Sequence, residues 1–503
     1  MTRFTIAAAV FVIALATYVI TLSPTVGMTD SGELTLAATS LGVAHPPGFP
    51  LYVIVTHLFT RIPVGDVTTR ANFASAFFAA LAAAAMTFAA GDLVIAACLG
   101  LFLAFSRTLW SYATIAEVYA LNTFLSVAML VLALTWRRTR DIRYLRLAAL
   151  AFGLALGVHY VTAGIVAIGA AILVGRVRAR DVVPFILGGL LVYAYLPIAA
   201  SRDPAMNWGN PTTLSRFVDH VAAKQYQQYV GGGGQIARPL SIAAHELPLV
   251  LIAGAIGLAL LFRRDRRLFV ALLAIIAANF AWVFVYPIVN DLDAYLLPSF
   301  IAIIVAAAAF PIRAVLPVIA IATLVLSFHD RSHETYARDY VRDALTNVPP
   351  DATIVTGDWQ LVSPMMLLRP DVHVIQTGLL IRSWYLDQLE RREHLDVRVL
   401  RPLVADWERG APPSPELVRE LNRFVLSLAN SRHVYATGDV FATKQLHPAL
   451  AELAKTHDFV PNGLTIEIAP GHRPRTVHRF MPIVTNPPPE LAERYREAHL
   501  RSQ

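Results

Sequence analysis

The chain has 503 residues, of which 56% are hydrophobic and only 15% charged, with a formal net charge of +7. A water-soluble fold cannot bury so much apolar surface, so composition predicts a polytopic α-helical membrane protein. The positive charge is almost all arginine, only three lysines being present, and it gathers between apolar runs, which makes a nucleic-acid partner a poor explanation for it.

The first apolar run, residues 4 to 22, exceeds a signal-peptide core, and no small-residue cleavage site follows it, so a retained first helix is expected. Asp30, Ser31, Gly32 and Glu33 come directly afterwards. Carboxylates near lipid must be solvated, paired or used. Asp30 with Glu33 three residues on also forms a capping box, able to open a helix at 31 to 41 without chemical work. The same spacing puts both acids at the start of one helix. His45-Pro46-Pro47-Gly48-Phe49-Pro50 cannot continue that helix and predicts a fixed turn before another at 50 to 60.

Further spans are expected at 72–90, 93–109, 119–136, 145–158, 161–175, 182–199, 247–262, 268–286, 294–310 and 314–328, about eleven with the first. The fifth and sixth are short and also read as one long span plus a re-entrant piece. Arg137, Arg138, Arg140, Arg143 and Arg146 mark one connection as cytoplasmic. Arg176, Arg178 and Arg180 mark a second, and Arg263, Arg264, Arg266 and Arg267 a third. Counting from these, Arg3 and the N-terminus lie inside, while 23–71, 110–118, 200–246, 287–293 and the region after 328 lie outside. The single cysteine, Cys98, excludes an intramolecular disulfide.

The outer segments hold the unusual residues. Trp110 to Asn122 places Glu117 among aromatics, of which Trp110 and Tyr119 also suit an interfacial belt. The 200–246 segment carries Arg202, Trp208, Lys224 and Arg238. Its GGGG run at 231–234 lacks the Lys-Ser/Thr of a phosphate loop and reads as a flap or hinge. Asp291-Leu292-Asp293 is an Asp-x-Asp, a pattern too short to specify a metal.

From residue 329 the pattern changes to short apolar runs alternating with amphipathic segments. Strands are expected at 353–356, 372–375, 397–400, 434–436 and 465–468, with helices near 333–346, 383–392, 415–429 and 447–456. This predicts a soluble external α/β domain at 329–503 behind a membrane domain at 1–328. Thr356-Gly357-Asp358 and Thr437-Gly438-Asp439 both end strands and read as ordinary strand-end turns.

The strings DSGEL, LGVAHPPGFPLY, Arg70-Ala71-Asn72 and AEVYALN together resemble the signature of a family of polytopic membrane proteins first catalogued as a domain of unknown function. Its animal members are endoplasmic-reticulum TMEM-type protein O-mannosyltransferases of the GT-C superfamily. Weaker echoes are Asn207-Trp208-Gly209-Asn210-Pro211 and the segment from Asn290 to Tyr295. The resemblance implies a GT-C-like fold and an inverting glycosyltransferase with a polyprenyl-phosphate sugar donor, a mannose-like hexose being favoured. It implies a catalytic acid in the first external loop, 23–71, a position that Asp30 matches with Glu33 close behind. Glu117 matches an acid in a second loop.

Such transfer needs a base for the acceptor hydroxyl and cations or donors for the departing phosphate. Asp30 is the expected base, assisted by Glu33 and Glu117. Arg202, Lys224 and Arg238, then Arg70 and His45, are the candidates facing the phosphate. Trp110, Trp208, Tyr119, Asn122, Asp291 and Asp293 complete the expected substrate contacts. No metal ligand is assigned and no cofactor is certain, with Mg²⁺ or Mn²⁺ left open. The expected partners are the lipid-linked donor, a protein or glycolipid acceptor and membrane lipids, in a bacterial inner membrane with the C-terminal domain periplasmic. Two alternatives stay open: glycosylation of an envelope lipid or glycan by the same chemistry, and a non-enzymatic lipid or sugar transporter.

Overall fold

The structure is a computed structural model describing all residues except 1, 29, 232–236, 247, 287–290, 413, 443, 445, 446, 472–480, 485, 486, 488, 502 and 503. The glycine run beyond Gly231, and Asn290, therefore lie outside the described residues. The chain divides into two compact units. The first comprises 1–24, 37–207 and 211–334, and the second 25–36, 208–210 and 335–503. The second unit thus takes in two short excursions that a single boundary at residue 328 assigns to the membrane domain.

The first unit is helical. Among the described residues six helices are long and apolar enough to cross a membrane, or eight if each of two bent pairs is one span. Eleven were expected. Several expected spans are short pieces, such as Leu297–Ala307 at 11 residues, and the expected spans 145–158 and 161–175 are the two arms of one broken helix, Ile142–Val174, which ends one residue short of 175.

That helix is broken at His159, where φ −149° and ψ 90° leave the helical region. Arg146 pairs with Asp181 at 3.4 Å, and Tyr193 Oη donates to the Leu156 carbonyl at 2.7 Å. Residues 181–193 therefore run alongside 146–156. A straight helix would carry Val174 about 42 Å beyond Arg146, and the seven residues to Asp181 reach back at most about 25 Å. The chain must double back at His159. Close helix approach helps hold this arrangement, since a Cβ on Gly153 would collide with the Ile186 backbone.

The arginine connections gather at one end of this unit. Arg137 binds Asp265 through two bonds of 2.7 and 2.8 Å, Arg138 donates to the Ala89 carbonyl at 2.7 Å, and Arg3 to Gly91 at 3.1 Å. Another set of contacts ties the segments expected on the opposite side. Ser23 N–H donates to Thr114 at 3.0 Å, Asn72 to Ser23 at 2.9 Å, and Arg331 to Ser111 Oγ at 3.0 Å.

The second unit contains a five-stranded sheet ordered β2-β1-β3-β5-β4. Its strands are β1 Thr353–Thr356, β2 His373–Gln376, β3 Val434–Thr437, β4 His457–Asn462 and β5 Thr465–Pro470. The first three are parallel, whereas β5 and β4 pair antiparallel. Side-chain alternation sends Val355, Val434 and Ala436 into one core with Leu386, Val404 and Leu428. Ile354 and Tyr435 enter the other core, with Leu361, Met365 and Tyr495. Residues 397–400 form no strand: Val397 is buried just before a turn at 398–399, and Leu400 opens the helix Leu400–Glu408. Sequence reading also missed β4 and the helix Trp359–Leu368.

Candidate active site

Asp30 opens the helix Asp30–Ser40, so both acids lie in its first turn, where the free N–H groups and helix dipole favour negative charge. They differ in access: Glu33 is fully buried, whereas Asp30 is half-buried. Their carboxylate oxygens lie within 4.8 Å of one another. Such a pair can offer hard oxygen ligands to Mg²⁺ or Mn²⁺.

The backbone carrying these acids is seated within the second unit. A Cβ on Gly32 would stand 2.8 Å from Cδ and 2.9 Å from Cγ of Pro364, in the helix Trp359–Leu368. Met28 packs against the core containing Tyr340, Leu361 and Met365. Trp208 belongs to this unit as well. Its ring lies 5.4 Å from Trp359 and 5.6 Å from Trp384.

In the first unit, the His45–Pro50 segment is a closed turn. Gly48 N–H donates to the His45 carbonyl at 2.8 Å. Gly48 has φ +92°, and a Cβ there would lie 2.8 Å from Leu196 and 2.9 Å from His220. The His45 ring packs edge-on against Phe49 at 4.9 Å, and Pro50 opens the helix Pro50–Thr60. Arg70 donates to the carbonyls of Thr60, Ile62 and Asp66 at 2.6, 2.7 and 3.1 Å, which fastens the following loop.

Trp110 is fully buried, and its indole N–H donates to Thr21 Oγ1 at 2.9 Å, a core position. Glu117 is buried as the N-cap of the helix Val118–Thr139, accepting from Val118 N–H at 3.3 Å. Its own N–H donates to Ser75 Oγ at 3.1 Å. Asp291 and Asp293 meet at Tyr112, whose hydroxyl lies 3.0 Å from an oxygen of each. Tyr112 stacks edge-on with Tyr119 at 4.9 Å, and Tyr119 packs on His159 at 5.4 Å. His159 in turn faces Tyr295 at 5.0 Å. Its Nδ1 and the Asn122 amide both bond Thr162 Oγ1, at 2.8 and 2.7 Å.

This polar file joins four expected residues, Tyr119, Asn122, Asp291 and Asp293, to four that sequence reasoning left out: Tyr112, His159, Thr162 and Tyr295. One signal was present, a histidine inside the apolar stretch LALGVHYVTAG. Of the expected cations, Lys224 pairs with Asp219 at 2.9 Å. Arg202 and Arg238 are exposed.

Residues 30–182 match the family described as the protein O-mannosyl-transferase TMEM260 N-terminal domain. The chain is 27% identical over 458 residues to the protein O-mannosyl-transferase TMEM260 of Mus musculus, covering 76% of this chain and 64% of that protein. It is 29% identical over 276 residues to the Dictyostelium discoideum protein of the same name, covering 48% and 34%. It therefore spans less than two thirds of the length of either relative. Among solved structures, ArnT from Cupriavidus metallidurans bound to undecaprenyl phosphate is similar with a TM-score of 0.63 at 13% identity, over 92% of this chain and 97% of that one. Its apo state gives 0.62. The motifs DSGEL and HPPGFPLY thus lie in a membrane protein similar in sequence to TMEM260 O-mannosyl-transferases and in fold to a GT-C enzyme.

Proposed function

We propose that the protein is an inverting membrane glycosyltransferase that moves a hexose, mannose being favoured, from a polyprenyl-phosphate donor to a hydroxyl of a protein. The observation that carries this reading is the acid pair at the start of the helix Asp30–Ser40, one carboxylate accessible and the other buried, where the TMEM260-type similarity begins. The acceptor oxygen attacks the anomeric carbon as the bond from that carbon to the phosphate oxygen breaks. Asp30 takes the acceptor proton, and the polyprenyl phosphate leaves with the bonding electrons. Glu33, buried beside it, holds and polarises Asp30. Exposed Arg202 and Arg238 are the guanidinium candidates for the phosphate.

The undecaprenyl phosphate bound to ArnT, a protein of similar fold, supports a polyprenyl-phosphate-type donor. The arginine-rich end of the helical unit supports a cytoplasmic N-terminus, with the Asp30 segment and the α/β unit on the outer, periplasmic side of a bacterial inner membrane. Mass spectrometry of envelope glycoproteins and glycolipids, with and without the gene, tests the reading. Loss of hexose from Ser or Thr of proteins is expected. An unchanged glycoprotein profile with loss of a sugar from a glycolipid would reassign the acceptor.

A further inference from the structure

The two Thr-Gly-Asp strand ends come together at a defined place in the α/β unit. From β1 the chain crosses to β2 on one side and later returns to β3 on the other, so chain order reverses between β1 and β3. In open α/β sheets, ligands bind outside the carboxyl ends of the strands at such a point. Here Gly357 N–H donates to Asp439 Oδ2 at 2.7 Å, and Thr437 Oγ1 donates to Thr356 Oγ1 at 2.8 Å. A Cβ on Gly357 would stand 2.6 Å from Asp439 and 3.1 Å from Thr377 Oγ1.

Tryptophans collect at the same edge. Trp359 opens the helix that follows β1, and Trp384 is the second residue of the helix Ser383–Glu393, which follows β2. Trp208 lies against both, nearly perpendicular to Trp359 and tilted by 37° to Trp384. All three rings are half-buried, unlike Trp110, which is wholly enclosed. Thr356 and Thr437 are buried, whereas Asp439 and Thr377 are half-buried. Three partly accessible indoles following β1 and β2, with these polar groups at the strand ends, match the two faces of a hexose: apolar C–H groups for the rings, and hydroxyls for the oxygens.

We propose that the carboxyl edge of β1, β2 and β3 is a hexose-binding site, with Trp359, Trp384 and Trp208 as its apolar platform and Asp439 as a hydroxyl acceptor. The site deepens the glycosyltransferase reading and rests on it for the role of the sugar, though binding itself requires no transfer. The acid-bearing segment contacts the helix that Trp359 opens, through Gly32 and Pro364, so one element serves both.

The test uses full-length detergent-solubilised protein with methyl α-D-mannopyranoside as probe, followed by saturation-transfer NMR without lipid donor. Saturable binding is expected, weakened at least tenfold in Trp359→Ala and Trp384→Ala. Trp359→Phe should retain it. Asp439→Asn, which keeps an acceptor for Gly357 N–H, should weaken it severalfold. No saturable binding, or undiminished binding in both alanine variants, would overturn the proposal. In transfer assays of Trp384→Ala, a raised KM for the donor assigns the site to the donor sugar. A raised KM for a glycosylated acceptor assigns it to acceptor glycan, and two unchanged KM values would overturn its part in transfer. Hexose binding by a wild-type protein that transfers nothing would contradict the transferase reading alone.

Discussion

Gly32 lies so close to Pro364 that even a methyl group would not fit, its Cβ falling 2.8 Å from the proline ring. A proline ring cannot swing aside as a long flexible side chain can. The backbone between Asp30 and Glu33 is thereby held at a fixed distance from the helix Trp359–Leu368, and the position of the proposed base depends on residues more than 300 positions away in sequence.

Gly32→Ala should accordingly lower sugar transfer by about tenfold, through displacement of Asp30. Gly32→Ala with Pro364→Ala should recover much of the loss, because removing the ring restores the space. Initial rates on the two variants check this. A Gly32→Ala enzyme with wild-type rates would show that the contact does not position the acid.

Glu33→Gln and Glu117→Gln should each reduce transfer by a smaller factor than Asp30→Asn, since one side chain is buried beside the base and the other caps a helix. For Glu117→Ala, loss of the cap bond should also cost about 1 kcal/mol of stability. Thermal melting alongside rate measurement separates the two effects.

Tyr112→Phe removes the hydroxyl that Asp291 and Asp293 both approach at 3.0 Å. The predicted cost is about 1–3 kcal/mol, the range for losing a hydrogen bond to a charged group. Asp293→Asn in the same background should return part of it by supplying an amide donor. Melting midpoints of the single and double variants provide the check.

His220 gives a prediction for pH. Burial holds its imidazole pKa down to about 3, with neighbouring His45 lowering it further and a backbone bond at Ala44 opposing. In the unfolded chain the ring titrates near its usual value of 6.5. Between those values the unfolded state binds a proton that the native state refuses, so stability falls as pH drops below about 6.5. His220→Phe should flatten the decline of the melting midpoint between about pH 6.5 and 4, and an unchanged slope would contradict the assignment.

Elements governed by local pattern were legible in the sequence. The strand at 353–356 coincides with β1, and the expected helices at 383–392 and 415–429 lie within Ser383–Glu393 and Pro415–Ser431. Features set by long-range packing were not. Nothing local to Asp30 or Gly32 announces Pro364, whereas the break at His159 falls between the spans expected at 145–158 and 161–175. Trp110 and Trp208 look alike as exposed-loop aromatics, yet one is core and the other sits among partly accessible tryptophans. Arg70 reads in sequence as free to meet a phosphate because its three carbonyl partners belong to a turn whose shape sequence does not specify.

The most direct measurement is transfer of labelled mannose from polyprenyl-phosphate mannose to a protein acceptor by purified wild-type and Asp30→Asn enzymes in lipid. The account predicts transfer by the wild type and at least a thousandfold loss in the variant, with an unchanged melting midpoint and donor affinity. Wild-type rates in Asp30→Asn would contradict it.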